Sequence, residues 1–316
     1  MSSKKIIAIT GATGAQGGGL ARAILNDPHS EFSVRAITRD VNSDKAKELA
    51  RLGAEVVHGD VDDLASLEKA FAGAYGAFCV TFFWHHFSAA QEIAHATNMA
   101  AAAKKANLKH VIWSSLEDTR KLLPTSDPRM PVLQEKYNVP HFDGKGEADE
   151  VFRKQGLPLT ILLTAFYWDN FIYFGLGPKK GPDGKYAITF PMGDARLPGL
   201  AAEDIGKCAY GIFKKGSEYI GKTVGIAGGH LTGAQMADSF TRHLGTPVGY
   251  NAVDPDVYRS FGFPGADEMG NMFQYKRDFE EQYVAARDLT EARALNPGLL
   301  SFDSWLEQNK AKIPLD

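Results

Sequence analysis

Short apolar runs alternate with amphipathic stretches through the first half of the chain. Residues 6–9, 32–38, 55–60, 76–82, 110–113 and 157–164 read as strands, several of them continuous apolar runs suited to burial on both faces. Between them, Leu20, Ile24 and Leu25 give a first helix its apolar stripe, and Asn26-Asp27-Pro28 stops it. Residues 44–52 form a surface helix ended by Gly53, and residues 64–71 a third, with Asp62 and Asp63 placed to cap it. Ser88 with Gln91 reads as a capping box opening a long alanine-rich helix that ends near Asn107. The alternation predicts an α/β, Rossmann-type fold: a doubly wound parallel sheet with its ligand at the C-terminal strand ends.

The pattern changes in the second half. Gly177-Pro178 and Pro182-Asp183-Gly184 are turn signals, and residues 186–190 and 222–227 read as strands. A helix starts at Glu203, and Thr232 with Gln235 boxes another that ends near Leu244. Phe261-Gly262-Phe263-Pro264-Gly265 interrupts a helical region, after which Met269, Met272, Phe273 and Tyr275 form an apolar patch, read as core with a partner surface as the alternative. Ser301 caps a last helix around Trp305-Leu306. The expected division is a dinucleotide-binding domain over 1–165 and a smaller mixed α/β lobe over 166–316 that covers the cleft, part of which crosses back to the sheet. Residues 117–140, with Pro124, Pro128, Pro131 and Pro140, form an irregular stretch of the kind used as a lid or binding loop.

Composition narrows the function. The net charge of −3 over 316 residues argues against direct nucleic-acid binding. No apolar run approaches the roughly 18 residues of a membrane helix, and no targeting segment is visible at the N-terminus. Two cysteines, Cys79 and Cys208, make no disulfide framework, which fits a reducing cytoplasm.

The chemistry concentrates where strands end. Gly11, Gly14 and Gly17, with Ala12, Thr13, Ala15 and Gln16 between them, lie between the first strand and first helix. Glycine there permits a sharp turn, and the helix N-terminus favours a pyrophosphate. Gly18 and Gly19 extend the run into the helix, where each costs about 1 kcal/mol relative to alanine. Close packing of the helix accounts for one of them. At the end of the second strand, Arg39 with Lys45 favours the 2′-phosphate of NADP(H); Asp40 is the counter-argument for NAD. Asp62 and Asp63 border the adenine side as well as the helix start. The aromatics after the fourth strand, Phe82, Phe83, Trp84 and Phe87, wall a cleft; the adjacent His85 and His86 lack the spacing of a metal site. His141 and Lys145 are spaced i, i+4 and share a helix face. Tyr167, Trp168, Asp169 and Asn170 follow the sixth strand, where an aromatic wall and a polar contact suit a nicotinamide.

Three motifs, GATGAQGG near the start, VPHFDGKGE around residue 142 and FGFPGADEMGNMF from residue 261, resemble the NmrA-like family across nearly the whole chain. The region of Lys145 also resembles extended short-chain dehydrogenases, which carry Tyr-x-x-x-Lys after a serine. Here Lys145 is kept, Ser114 or Ser115 is available, and His141 stands at the tyrosine position. The resemblance implies NADP(H) binding by Gly11 to Gln16, Arg39, Asp62 and Asp63, by Thr81, Phe82 and Phe83, by Lys145, and by Tyr167 to Asn170. The family includes a fungal regulator and NADPH-dependent quinone reductases. The expected function is therefore an NADP(H)-binding redox sensor with a protein partner. The alternative is a reductase of quinones or similar carbonyl-like substrates, with Lys145 and His141 as catalytic candidates. A homodimer is left open.

Overall fold

β1 (Lys5–Ile9) lies between β2 (Phe32–Thr38) and β4 (Gly76–Cys79), pairing in parallel with both. That arrangement is the centre of a seven-stranded parallel sheet. In chain order the first half runs β1, α1 (Ala15–Leu25), β2, α2 (Asp44–Arg51), β3 (Glu55–His58), α3 (Leu64–Phe71), β4, α4 (Ala89–Lys105), β5 (His110–Ser115), α5 (Pro140–Lys154) and β6 (Leu159–Leu163). The second half runs β7 (Phe166–Tyr167), α6 (Asn170–Tyr173), β8 (Lys179–Lys180), β9 (Tyr186–Phe190), β10 (Arg196–Leu200), α7 (Ala202–Lys215), β11 (Thr223–Gly225), β12 (Gly229–Thr232), α8 (Gly233–Leu244), β13 (Val248–Ala252) and α9 (Pro255–Arg259). It closes with α10 (Ala266–Asp278), α11 (Glu280–Ala285), α12 (Leu289–Leu295) and α13 (Phe302–Asn309). The computed structural model describes residues 4–315, so the reading of Met1 to Ser3 lies outside the described residues.

The sheet order is β11-β6-β5-β4-β1-β2-β3. Strand order reverses between β1 and β4, and a crevice opens at their C-terminal ends. β4, β5 and β6 are buried along their whole length, as their continuous apolar character requires. One face is covered by α1 and α7, the other by α3, α4 and α5. A Cβ on Gly19 would lie 2.5 Å from the Glu203 carbonyl oxygen, and one on Gly206 would overlap the Leu20 amide. The two backbones thus touch, which explains Gly19; a Cβ on Gly18 would crowd the Ala12 carbonyl at 3.2 Å.

β11 joins the large sheet from far along the chain, pairing with β6. The remaining strands form two three-stranded sheets, β12-β10-β7 and β13-β9-β8. They enclose an aromatic core in which Phe171, Phe240, Phe302 and Trp305 meet. Met272, Phe273 and Tyr275 belong to that core, and Met269 packs against it.

Several local expectations change. β4 ends at Cys79, not residue 82, because the chain turns into a short 3-10 segment at Phe83–His85. Ser88 does accept the Gln91 backbone N–H, but the Gln91 side chain donates to Asp62 and leaves the box half made. The 117–140 stretch is irregular but strapped down. Asp143, fully buried, accepts from Thr119 N–H and Oγ1–H and from the amides of Asn138 and Val139 at 2.6 to 3.0 Å. From α10, Asn271 donates to the carbonyls of Pro131 and Asn138, and Gln274 to that of Arg129. Residues 117–140 contribute nothing to the main cleft wall, so the lid expectation is not met.

Candidate functional site

A cleft of about 890 Å³ runs across the C-terminal ends of β1, β2, β4 and β6. Its floor begins at the glycine turn. Gly11 has φ +60°, a left-handed conformation that suits glycine. A Cβ on Gly17 would lie 2.5 Å from the Gly11 carbonyl oxygen, so the turn and helix close only without one. Gly14 caps α1 and brings no side chain to its first-turn amides. Those donors face the crevice with the positive end of the helix dipole, a place built for a phosphate. A pyrophosphate therefore fits this cradle.

Gly11, Thr13, Gly14, Ala15, Gln16 and Gly17 line the cleft, whereas Ala12 turns into the core. Arg39 lines it from the end of β2 without a carboxylate partner among the described residues. Asp40 is committed elsewhere: its Oδ1 accepts the Asn42 N–H at 2.8 Å. Lys45 sits exposed on α2, off the cleft wall. Asp62 lines the cleft and accepts from Gln91 Nε2 and His95 Nε2, both at 2.8 Å. The His95 hydrogen bond holds its carboxyl below the usual range. Asp63 caps α3 through the Ala65 N–H and stays outside the cleft.

Lys145 rises from α5 into the centre. Its Nζ donates to Thr81 Oγ1 at 2.6 Å and the Ser114 carbonyl at 3.3 Å, and stands 3.3 Å from Glu92 Oε2. Thr81 donates in turn to Glu92 Oε2 at 2.5 Å. Glu92 is fully buried. Burial alone would raise its carboxyl, but Lys145, His86 and Thr81 together hold it down at about 2. Sequence reasoning missed Glu92, because a carboxylate inside an alanine-rich helix looks like a solvated one. The fold also brings His86, Glu92 and His95 together, although His86 and His95 are nine positions apart. The Ser88 N–H donates to His86 Nδ1, which puts the ring's hydrogen on Nε2, facing Glu92 at 3.4 Å rather than open to a metal.

One helical turn before Lys145, His141 lines the same cleft. Its ring is packed between Trp84 and Phe142, with centroids 5.0 and 4.8 Å away. Nδ1 lies 2.5 Å from Glu268 Oε1 on α10. A carboxylate only accepts, so Nδ1 carries a hydrogen and Nε2 is the nitrogen left for the cleft.

Tyr167 and Asn170 line the cleft; Trp168 and Asp169 do not. Trp168 is core, packed on Phe302, and Asp169 accepts the Ala202 N–H at the start of α7. Gln16 bridges Ser114 Oγ at 2.7 Å and the Tyr167 hydroxyl at 2.6 Å, tying the glycine turn to β5 and β7. Ser115 donates to Asp149 at 2.6 Å, away from the cleft. Thr81, Phe82 and Phe83 line it after β4. The same cleft has a largely apolar chamber lined by Phe142, Phe263, Met269, Met272 and Tyr283, with Lys276 among them.

Fold and site together define an α/β protein with a Rossmann-type nucleotide cleft and an apolar chamber beside it. The NmrA-like family model matches residues 3–306. The oxidoreductase FrzB of Cladobotryum sp, described as NmrA-like, is 30% identical over 303 residues, covering 89% of this chain and 86% of that one. An NmrA-like family domain-containing protein of Dictyostelium discoideum is 25% identical over 320 residues, covering 98% and 99%. The crystal structure of NmrA, described as a negative transcriptional regulator, superposes with a TM-score of 0.79 at 25% identity, covering 96% and 95%. NmrA has also been solved in complex with NADP and with NAD. The chain belongs to the NmrA-like family.

Proposed function

We propose that the chain is an NADP(H)-dependent oxidoreductase that reduces a small carbonyl-like substrate, quinones being the first class to test. One observation carries this reading: an oriented imidazole, His141 on Glu268, faces the cleft one helical turn from Lys145. A protein that only sensed a nucleotide would have no use for a positioned imidazole beside an apolar chamber.

The bound dinucleotide supplies a hydride. The first-turn amides of α1 would hold its pyrophosphate, Arg39 would pair with the 2′-phosphate, and Asp62 would border the adenine. Lys145, held in place by Thr81 and Glu92, would take the nicotinamide ribose. Tyr167 and Asn170, on the cleft wall, would flank the ring. His141 would handle the proton: its Nε2 is the ring nitrogen placed on the cleft side to serve the substrate oxygen while the carbon is reduced. Glu268 orients the ring through Nδ1–H, and water would restore the proton afterwards. Relatives named as oxidoreductases support the reading by analogy. Both thiols are free and buried, which suits a reducing compartment, the cytoplasm. No helix among the described residues is long and apolar enough to cross a membrane.

The test is NADPH oxidation against a quinone panel with purified protein. Turnover that falls in Lys145→Ala and His141→Gln supports the reading; no turnover with any quinone sinks it.

A second reading, a regulator that reports nucleotide occupancy to a partner, is favoured by the exposed aromatics Phe82 and Phe174 on the cleft wall and by the whole-chain likeness to NmrA. Its switch would have to lie there, since 117–140 is tied to α10. Limited proteolysis should cut 117–140 equally with and without NADPH.

A further inference from the structure

α10 lays Glu268, Met272 and Lys276 along one face, at i, i+4 and i+8. Glu268 holds His141, and Met272 and Lys276 line the cleft. Lys276 is 2% exposed. Its ammonium stands 5.4 to 6.0 Å from the ring centroids of Phe142, Phe166, Phe273 and Tyr283. No carboxylate lies within ion-pair distance among the described residues. Glu117, the acid whose charge it feels, is committed in a two-pronged pair to Arg287, whose own charge repels the lysine. The Tyr283 hydroxyl beside it is buried without a hydrogen-bond partner.

Such a lysine is costly. Four aromatic rings would pack a leucine or methionine better, and a buried unpaired ammonium is penalised heavily. Burial first, then Arg287, pushes it down to about 7. The cation–π contacts offset only part of this. The missing partner is an anion or strong acceptor, and the chamber wall beside it is aromatic and methionine-rich, which suits a flat apolar body.

Building on the oxidoreductase reading, we propose that Lys276 is the specificity-determining residue of the chamber. It selects planar aromatic substrates that carry an anionic oxygen, an enolate, phenolate or carboxylate. The anion supplies the counter-charge that the fold withholds, and the reducible carbonyl is left toward His141.

The test compares 2-hydroxy-1,4-naphthoquinone, an acidic enol, with its neutral 2-methoxy ether, titrated calorimetrically into NADP-loaded protein. The wild type should bind the hydroxyquinone roughly tenfold more tightly or better, about 1.4 kcal/mol. Lys276→Met should bind both alike with unchanged NADP affinity. In the wild type the preference should fade as pH rises past about 7. Of the groups facing it, Arg287 is paired with Glu117, and burial pushes the Tyr275 and Tyr283 hydroxyls well above the usual range; His141 is the other ionisable group on the cleft wall, and the Lys276→Met profile over the same pH range is its control. Equal affinity for the two quinones, binding of neither, or a preference that survives in Lys276→Met overturns the proposal. The oxidoreductase reading fails separately, through absent NADPH oxidation in protein that still binds the hydroxyquinone.

Discussion

Glu268 Oε1 accepts from His141 twice, from the backbone N–H at 2.7 Å and from Nδ1–H at 2.5 Å, across 127 positions of sequence. The contact joins α10 to α5 beside the large sheet, so two segments far apart in the chain are needed to orient the ring. His141→Gln should lower kcat for quinone reduction on the order of 100-fold, within the usual range for general acid catalysis. Glu268→Gln should lower it less, about tenfold, because the ring remains but loses its charged partner. NADPH affinity should be unchanged in both, as measured by fluorescence titration. Equal loss of nucleotide binding would assign the pair a structural role.

Arg39 lines the cleft at the end of β2 and is proposed to take the 2′-phosphate, with Asp40 folded into its own turn and Lys45 off the wall. Arg39→Ala should weaken NADPH by roughly tenfold or more, the scale of a charge-assisted hydrogen bond of about 1.5–3 kcal/mol, and leave NADH affinity untouched. Calorimetry with the four nucleotides checks this.

Glu92 links stability to acid. Its carboxyl falls from the ordinary 4.5 to about 2 in the folded protein, so its contribution is fully present above about 4.5 and is lost as pH falls toward 2. Glu92→Gln should cost about 3 kcal/mol at neutral pH, since it strands Lys145. It should also flatten the acid limb of a urea-midpoint profile. A variant whose acid limb matches the wild type would show that Glu92 does not carry the linkage.

Lys276 acts in the opposite sense. A lysine whose pKa drops from 10.5 to about 7 penalises the folded state at and below neutrality, and the penalty disappears as pH rises toward 10.5. Lys276→Met should therefore raise Tm at neutral pH, with the gain shrinking in alkali. Scanning calorimetry across that range reads the sign directly. A Tm that falls at neutral pH would mean the ammonium is better paired than the fold implies.

Much of the architecture was legible because the first half follows local rules. β2 and α3 fall on the bounds their apolar runs predict, and Thr232 and Gln235 form the full capping box. β10 was missed: Pro198 and Gly199 inside it read as strand breakers, and pairing with β12 and β7 overrides that preference. In the site, the glycine turn, Arg39 and Lys145 stood out because each sits at a strand or helix end with a distinctive residue type. Trp168 and Asp169 shared that address but point the other way, into the core and onto α7.

The amino-acid order by itself determined the alternation of strands and helices, the phosphate turn and the i, i+4 pairing of His141 with Lys145, because hydrophobic period and glycine placement are local properties. Only the tertiary structure decided which charges meet. Glu92 reaches Lys145, Glu268 reaches His141, and Lys276 is left without a counter-ion, because burial and pairing depend on which distant segments the packed fold brings within a few ångströms.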